Sequence, residues 1–184
     1  MIFRPTRLGG VWLVEIEPHQ DERGHFARTW CPREFAAHGL DTTLAQASLS
    51  FNHKRGTLRG LHFQRPPHEE AKLVRCTSGA IYDVALDLRP GSPTRGQWQG
   101  FELTARNAAA LYIPKGLAHG FQTLAPDSEV FYQISEFYYP DSASGVRFDD
   151  PEFGIEWPLP VAAISAKDRA WPDHCGQALL TDLR

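Results

Sequence analysis

Apolar and polar positions alternate in short runs along this chain, and glycine or proline interrupts the alternation at close intervals. Val11-Trp-Leu-Val-Glu-Ile16, Ala80-Ile-Tyr-Asp-Val-Ala-Leu-Asp-Leu88 and Glu129-Val-Phe-Tyr-Gln-Ile134 are rich in the β-branched and aromatic residues that suit a pleated, half-buried surface. Many short strands bounded by turn residues predict an all-β chain, a sandwich or barrel. Helix is scarce. The best candidate is Pro32-Arg-Glu-Phe-Ala-Ala-His38, with proline at an N1-like position and Gly39 just past the end. A two-residue period in Ala80–Leu88 puts Tyr82, Val84, Leu86 and Leu88 on a core face and leaves Asp83 and Asp87 on a polar one.

The densest chemistry lies between Thr57 and Arg75, in two strand-like runs joined by a loop that Pro66-Pro67 breaks. Strict alternation would separate Leu58, Gly60, His62 and Gln64 from Arg59, Leu61 and Phe63. Gly60 upsets that expectation, because glycine inside a strand often marks a bulge, and a bulge there turns Arg59 and His62 to the same side. With Lys72 on the second run, three groups that bind or move charge would then meet on one sheet face, the floor of an active site. A hydrogen-bonded core histidine and a salt-bridged strand lysine are the structural alternatives.

Other segments add candidates. Asp21-Glu-Arg-Gly-His-Phe26 reads as a hairpin leading into a strand-like Phe26–Trp30. It is either a solvated tip or a place where Arg23 meets a phosphate or carbonyl and Phe26 stacks on a base. Gln46, Ser48 and Ser50 share a strand face that either binds a ligand or faces water. In Leu111–Phe121, Pro114 and Gly116 make a turn, and His119 emerges between small residues that leave room for a ligand. Tyr132, beside Val130 and Ile134, is expected to be buried with a phenol in need of a partner.

At 184 residues the chain suits one domain, residues 1–184, with a sizeable core. A net charge of −3 without any Lys/Arg run gives no sign of nucleic acid or an anionic membrane as a partner. The N-terminal residues lack the apolar segment of a signal peptide and no apolar run approaches a membrane span, so a cytoplasmic protein is expected. Cys31, Cys76 and Cys175 are far apart, without metal-ligand spacing, and suit thiols in a reducing compartment.

Five segments in order, Asp-Glu-Arg-Gly at 21–24, Arg-Gly-Leu-His-Phe-Gln at 59–64, Lys-Leu-Val-Arg-Cys at 72–76, Ile-Pro-Lys-Gly-Leu-Ala-His-Gly-Phe at 113–121 and Ser-Ala-Lys-Asp at 165–168, resemble the dTDP-4-dehydrorhamnose 3,5-epimerases. The resemblance runs on through Tyr138, Pro140 and the stretch 150–158. It implies a cupin-type jelly roll, a homodimer, and inversion of C3 and/or C5 in a nucleotide-linked 4-keto-6-deoxyhexose without redox cofactor or metal. By position, His62 would be the general base, Asp168 its orienting carboxylate, Tyr132 the general acid, and Lys72 the cation facing the 4-oxygen. Arg23 and Arg59 would meet the diphosphate, and His119 the phosphate or sugar. Phe26 and Tyr138 would flank base or sugar, and Gln46, Ser48 and Lys167 would complete the binding set. Asp83 is a second candidate partner for His62.

The chain also departs from that pattern. It has Arg28 where dTDP-specific enzymes commonly have glutamate, Gln46-Ala47-Ser48 where they read Gln-Asp-Asn, and Ser144 where they place glutamate. Chemistry is therefore better supported than the nucleotide, for which dTDP, GDP and CDP stay open. Two other classes fit part of the sequence. A metal-dependent cupin oxygenase or isomerase would use His62, His68, Glu69 or Glu70, and His119 as ligands, although Gln64 stands where its usual motif has a second histidine. A non-catalytic sugar-binding cupin would need only the aromatics and arginines.

Overall fold

The computed structural model describes residues 1–174; Cys175 lies outside them. Among the described residues the strands are β1 (Ile2–Pro5), β2 (Trp12–Glu15), β3 (His19–Asp21), β4 (Gly24–Phe26), β5 (Gln46–Asn52), β6 (Leu58–Gln64), β7 (Lys72–Ser78), β8 (Ala80–Asp87), β9 (Trp98–Thr104), β10 (Ala110–Ile113), β11 (Leu117–Thr123), β12 (Ser128–Ile134) and β13 (Ala143–Gly145). Two short helices, α1 (Pro32–Ala37) and α2 (Ala166–Arg169), complete the elements. The strands form one sheet in the order β1-β2-β10-β7-β12-β5, a second in the order β13-β6-β11-β8-β9, and a separate β3-β4 ribbon. Neighbours within each sheet run antiparallel. This is the jelly-roll sandwich that the strand pattern and the resemblance imply.

The main core lies between the sheets. Val74, Cys76, Leu111, Ile113 and Val130 of the six-stranded sheet pack with Ile81, Ala85, Leu103, Leu117 and Phe121 of the five-stranded one. The outer faces are covered too. Helix α1 begins at Pro32, ends as Gly39 adopts φ +70°, and buries Phe35 against Val14, Leu73, Ala110 and Tyr112. On the other side, Val146, Phe153 and neighbouring aromatics cover Leu61, Val84, Leu86 and Ala118. Trp98 and Trp157 donate their indole N–H groups to the Phe153 and Phe148 carbonyls, fixing that covering segment.

These layers correct two expectations. Strand β8 has no polar face: Tyr82, Val84 and Leu86 pack under the covering segment, while Ile81 and Ala85 enter the inter-sheet core and take Asp83 and Asp87 inside with them. Each buried carboxylate therefore needs a partner. Asp87 receives Arg89, Ser92 and Thr94. Burial alone would raise its pKa, but those donors outweigh it and hold the carboxyl far below its usual range. The strand expected over Phe26–Trp30 stops at Phe26. Beyond it Arg75 ties down the Thr29 carbonyl, and Trp30 packs on Phe35 as the chain enters α1.

Candidate active site

The site begins with a register shift. Strand β11 pairs Phe121 with Arg59 and His119 with His62, so three steps along β6 match two along β11. One extra residue is accommodated at Gly60, whose φ is +121°. A Cβ there would lie 2.5 Å from Gly120 Cα and 2.8 Å from the His119 carbonyl oxygen, so two glycines let the backbones touch. The bulge anticipated from Gly60 thus puts Arg59, His62 and Gln64 together on the wall of one cavity of about 400 Å³. The facing sheet contributes Gln46, Lys72 and Ile134 to the same wall. Tyr138 and Ser144 line it too, and α2 brings Lys167 and Asp168.

His62 Nε2 lies 2.6 Å from Asp168 Oδ1, with the imidazole 45% exposed and the carboxylate almost fully covered. The Gly60 N–H donates to Asp168 Oδ2 (3.3 Å), and Ser165 caps α2 by accepting from the Asp168 N–H (3.0 Å). Burial pushes the Asp168 carboxyl upward, but the hydrogen bond and charge of His62, with Gly60 and Ser165, outweigh it and hold the pKa below the usual carboxylate range. Asp168 is thus an anion that fixes one ring nitrogen of His62, leaving the ring open to the cavity as a proton acceptor.

Tyr132 stands on the opposite sheet, cross-strand from inward-facing Val74. Its ring meets His119 edge-on, with centroids 6.0 Å apart. Burial, reinforced by Asp83 and only partly offset by Arg59, pushes its pKa well above the ordinary tyrosine value, so the phenol holds its proton. His119 itself is buried, with Nε2 2.7 Å from Asp83 Oδ1. Asp83 therefore partners His119, not His62. The small neighbours of His119 do not make ligand space either, since Gly120 receives the β6 backbone.

Lys72 Nζ donates to the His62 carbonyl (3.2 Å) and pairs with Glu70 Oε1 (2.9 Å). Arg59 Nε donates to Asn52 Oδ1 (2.7 Å), which holds the guanidinium at the cavity. Gln64 is buried and clamps two loops, donating to the His68 and Phe137 carbonyls and accepting from the Tyr139 N–H. Tyr138 is thereby presented from a pinned segment.

Arg23, Phe26 and Ser48 are not on this wall. Arg23 pairs with Asp21 on its own ribbon, and Phe26, 77% exposed, lies with Met1, Glu17 and Arg28 around a separate depression. Ser48 sits cross-strand from Tyr132. Tyr132 and His119 lie on the inner faces but outside the cavity wall itself. The metal-ligand set is not gathered: His68 stacks on Tyr139 at 3.5 Å, and among the described residues no three His, Cys, Asp or Glu side chains form a metal-sized group. Sequence reasoning missed Glu70 as a partner of Lys72, along with Phe137, Glu136 and Trp171 on the wall. Glu70 was within reach of a pattern argument, since residues two apart in an extended run share a face.

The model of the dTDP-4-dehydrorhamnose 3,5-epimerase family matches residues 5–175. The chain belongs to that family. An epimerase of this name from Methanothermobacter thermautotrophicus is 44% identical over 92% of this chain and 92% of its own. The crystal structure of the Elizabethkingia anophelis epimerase superposes with a TM-score of 0.92 at 37% identity, covering 95% of this chain and 97% of that one. The Bacillus anthracis epimerase, crystallised with TDP and PPi bound, gives 0.90 at 40% identity over 94% and 98%. Of the departures from the epimerase pattern, Arg28 pairs with Glu34 at the surface and Ser144 lies on the cavity wall.

Proposed function

We propose that this chain inverts C3, C5 or both in a dTDP-linked 4-keto-6-deoxyhexose by removing and returning a proton alpha to the ketone. The observation that carries this reading is the opposition of an Asp168-bound imidazole on one sheet and a protonated phenol on the other. The 4-carbonyl acidifies the flanking C–H bonds, His62 takes the proton from one ring face, Lys72 opposes the charge that gathers on the 4-oxygen, and Tyr132 returns a proton from the other face. Arg59 and Lys167, cations on the cavity wall, meet the diphosphate, with Tyr138 as an aromatic platform. No step calls for a metal or redox cofactor.

The functional unit is a single epimerase domain working in the cytoplasm, in keeping with the free thiols of Cys31 and Cys76. It acts as a homodimer in which Arg23 and Phe26 serve the partner's site, a reading supported by their exposure and their separation from the cavity of their own chain. Calorimetric titration tests the substrate: dTDP binds at least about tenfold more tightly than GDP or CDP, a difference of about 1.4 kcal/mol. Equal, millimolar affinity for all three would remove nucleotide recognition from the proposal.

A further inference from the structure

We propose that Glu70 is a positioning residue for Lys72, holding its ammonium toward the substrate. This inference rests on the role given to Lys72 above. A lysine ammonium is a point charge with three donors on a flexible stem, and free rotation would spread its charge over several directions. Here the ammonium donates to the His62 carbonyl at 3.2 Å and forms an ion pair with Glu70 Oε1 at 2.9 Å. Held between these two groups, the cation lines the cavity, whose wall Lys72 and Glu70 share. The acceptor of that hydrogen bond belongs to the backbone of the residue that carries the base, so the cation is referenced directly to His62.

Glu70 is built to hold that position. Its side chain is 7% exposed and that of Lys72 is 12% exposed. The backbone beside them is pinned to the end of β12, where the Ala71 N–H donates to Ser135 Oγ (2.8 Å) and the Ser135 N–H to the Ala71 carbonyl (3.0 Å). The second oxygen, Oε2, is buried with no hydrogen-bond partner among the described residues. A buried carboxylate with a partnerless oxygen is a poor stability device, because desolvation is opposed by only one ion pair. Such local disadvantages are expected where a site requires them.

The same side chain supplies the test. Glu70→Gln keeps an oxygen beside Lys72 while removing the negative charge, whereas Glu70→Ala removes the anchor altogether. Steady-state rates on the 4-keto sugar nucleotide are measured for wild type, both variants, Lys72→Ala and the Glu70→Ala/Lys72→Ala double variant, with thermal unfolding confirming a folded protein in each case. Glu70→Ala lowers kcat about 10²-fold, the scale of a misplaced catalytic group, and leaves KM within about threefold. Glu70→Gln restores kcat to within about threefold of wild type, and the double variant is no slower than Lys72→Ala because the two act as one unit. Wild-type kcat in Glu70→Ala, equal losses in Gln and Ala, or multiplying losses in the double variant would each overturn the inference. Glu70→Leu carries the same expectation if the alanine variant does not fold. A Lys72→Ala variant with wild-type kcat would instead overturn the functional reading of Lys72, so the two failures are told apart.

Discussion

His62 and Tyr132 stand on facing sheets, and their surroundings suit them to different halves of the proposed proton transfer. The imidazole is open to the cavity and tied to an anion; the phenol is partly buried beside His119, not fully buried as its pattern predicts, and keeps its proton. His62→Ala is expected to slow solvent exchange at the sugar carbons by about 10³-fold, within the range for a lost general base, while nucleotide affinity stays within about threefold. Tyr132→Phe should slow net inversion more than exchange, because abstraction continues while delivery to the other face fails; NMR rates of the two processes check the split. Both side chains were readable as types suited to proton transfer, but their pairings were not. Nothing in the spacing of His62, Asp83, His119 and Asp168 says which carboxylate meets which imidazole, since that depends on how sheet and helix are packed.

Two elements position this chemistry, the bulged β6 and the four-residue α2. Gly60→Ala would put a Cβ against Gly120 and force a positive φ on a residue that resists it. A loss of about 2–4 kcal/mol is expected from the strain and overpacking combined, measured by chemical denaturation. Ser165→Ala removes the cap of α2 and should lower stability by about 1 kcal/mol, with a larger proportional loss of kcat because Asp168 sits inside that cap. Acid sensitivity belongs to the same scale. Asp87 and Asp168 have pKa values lowered on folding, so each contributes stability that is complete above the unfolded value of about 4 and disappears as pH falls through the folded value. Asp87→Asn should therefore flatten the loss of stability below about pH 4, read from denaturant midpoints across pH. The β6 bulge was legible because glycine interrupts a clear alternation. Helix α2 was not, since four residues carry no period, and the double burial of β8 was hidden because period 2 cannot tell a wet face from one facing buried carboxylates.

At the scale of the whole molecule, the sandwich supplies two rigid walls and the β3-β4 ribbon projects the remaining candidate contacts away from them. Sequence order placed Arg23 and Phe26 in the binding set through resemblance, yet the fold of one chain keeps them off the cavity wall. If each ribbon serves a partner, co-expressed His62→Ala and Arg23→Glu chains, each inactive alone, should recover about a quarter of wild-type activity through hybrid dimers holding one intact site. Purely additive residual activity would return the ribbon to a surface role. At least one of the carbon-bound hydrogens flanking the ketone should exchange with solvent by base-driven abstraction in this cavity. A proton NMR time course of dTDP-4-keto-6-deoxyglucose with the enzyme in deuterated water tests it most directly. Loss of the C3 or C5 proton signal together with inverted coupling at that carbon is the result expected. Retention of both proton signals at stoichiometric enzyme would contradict it.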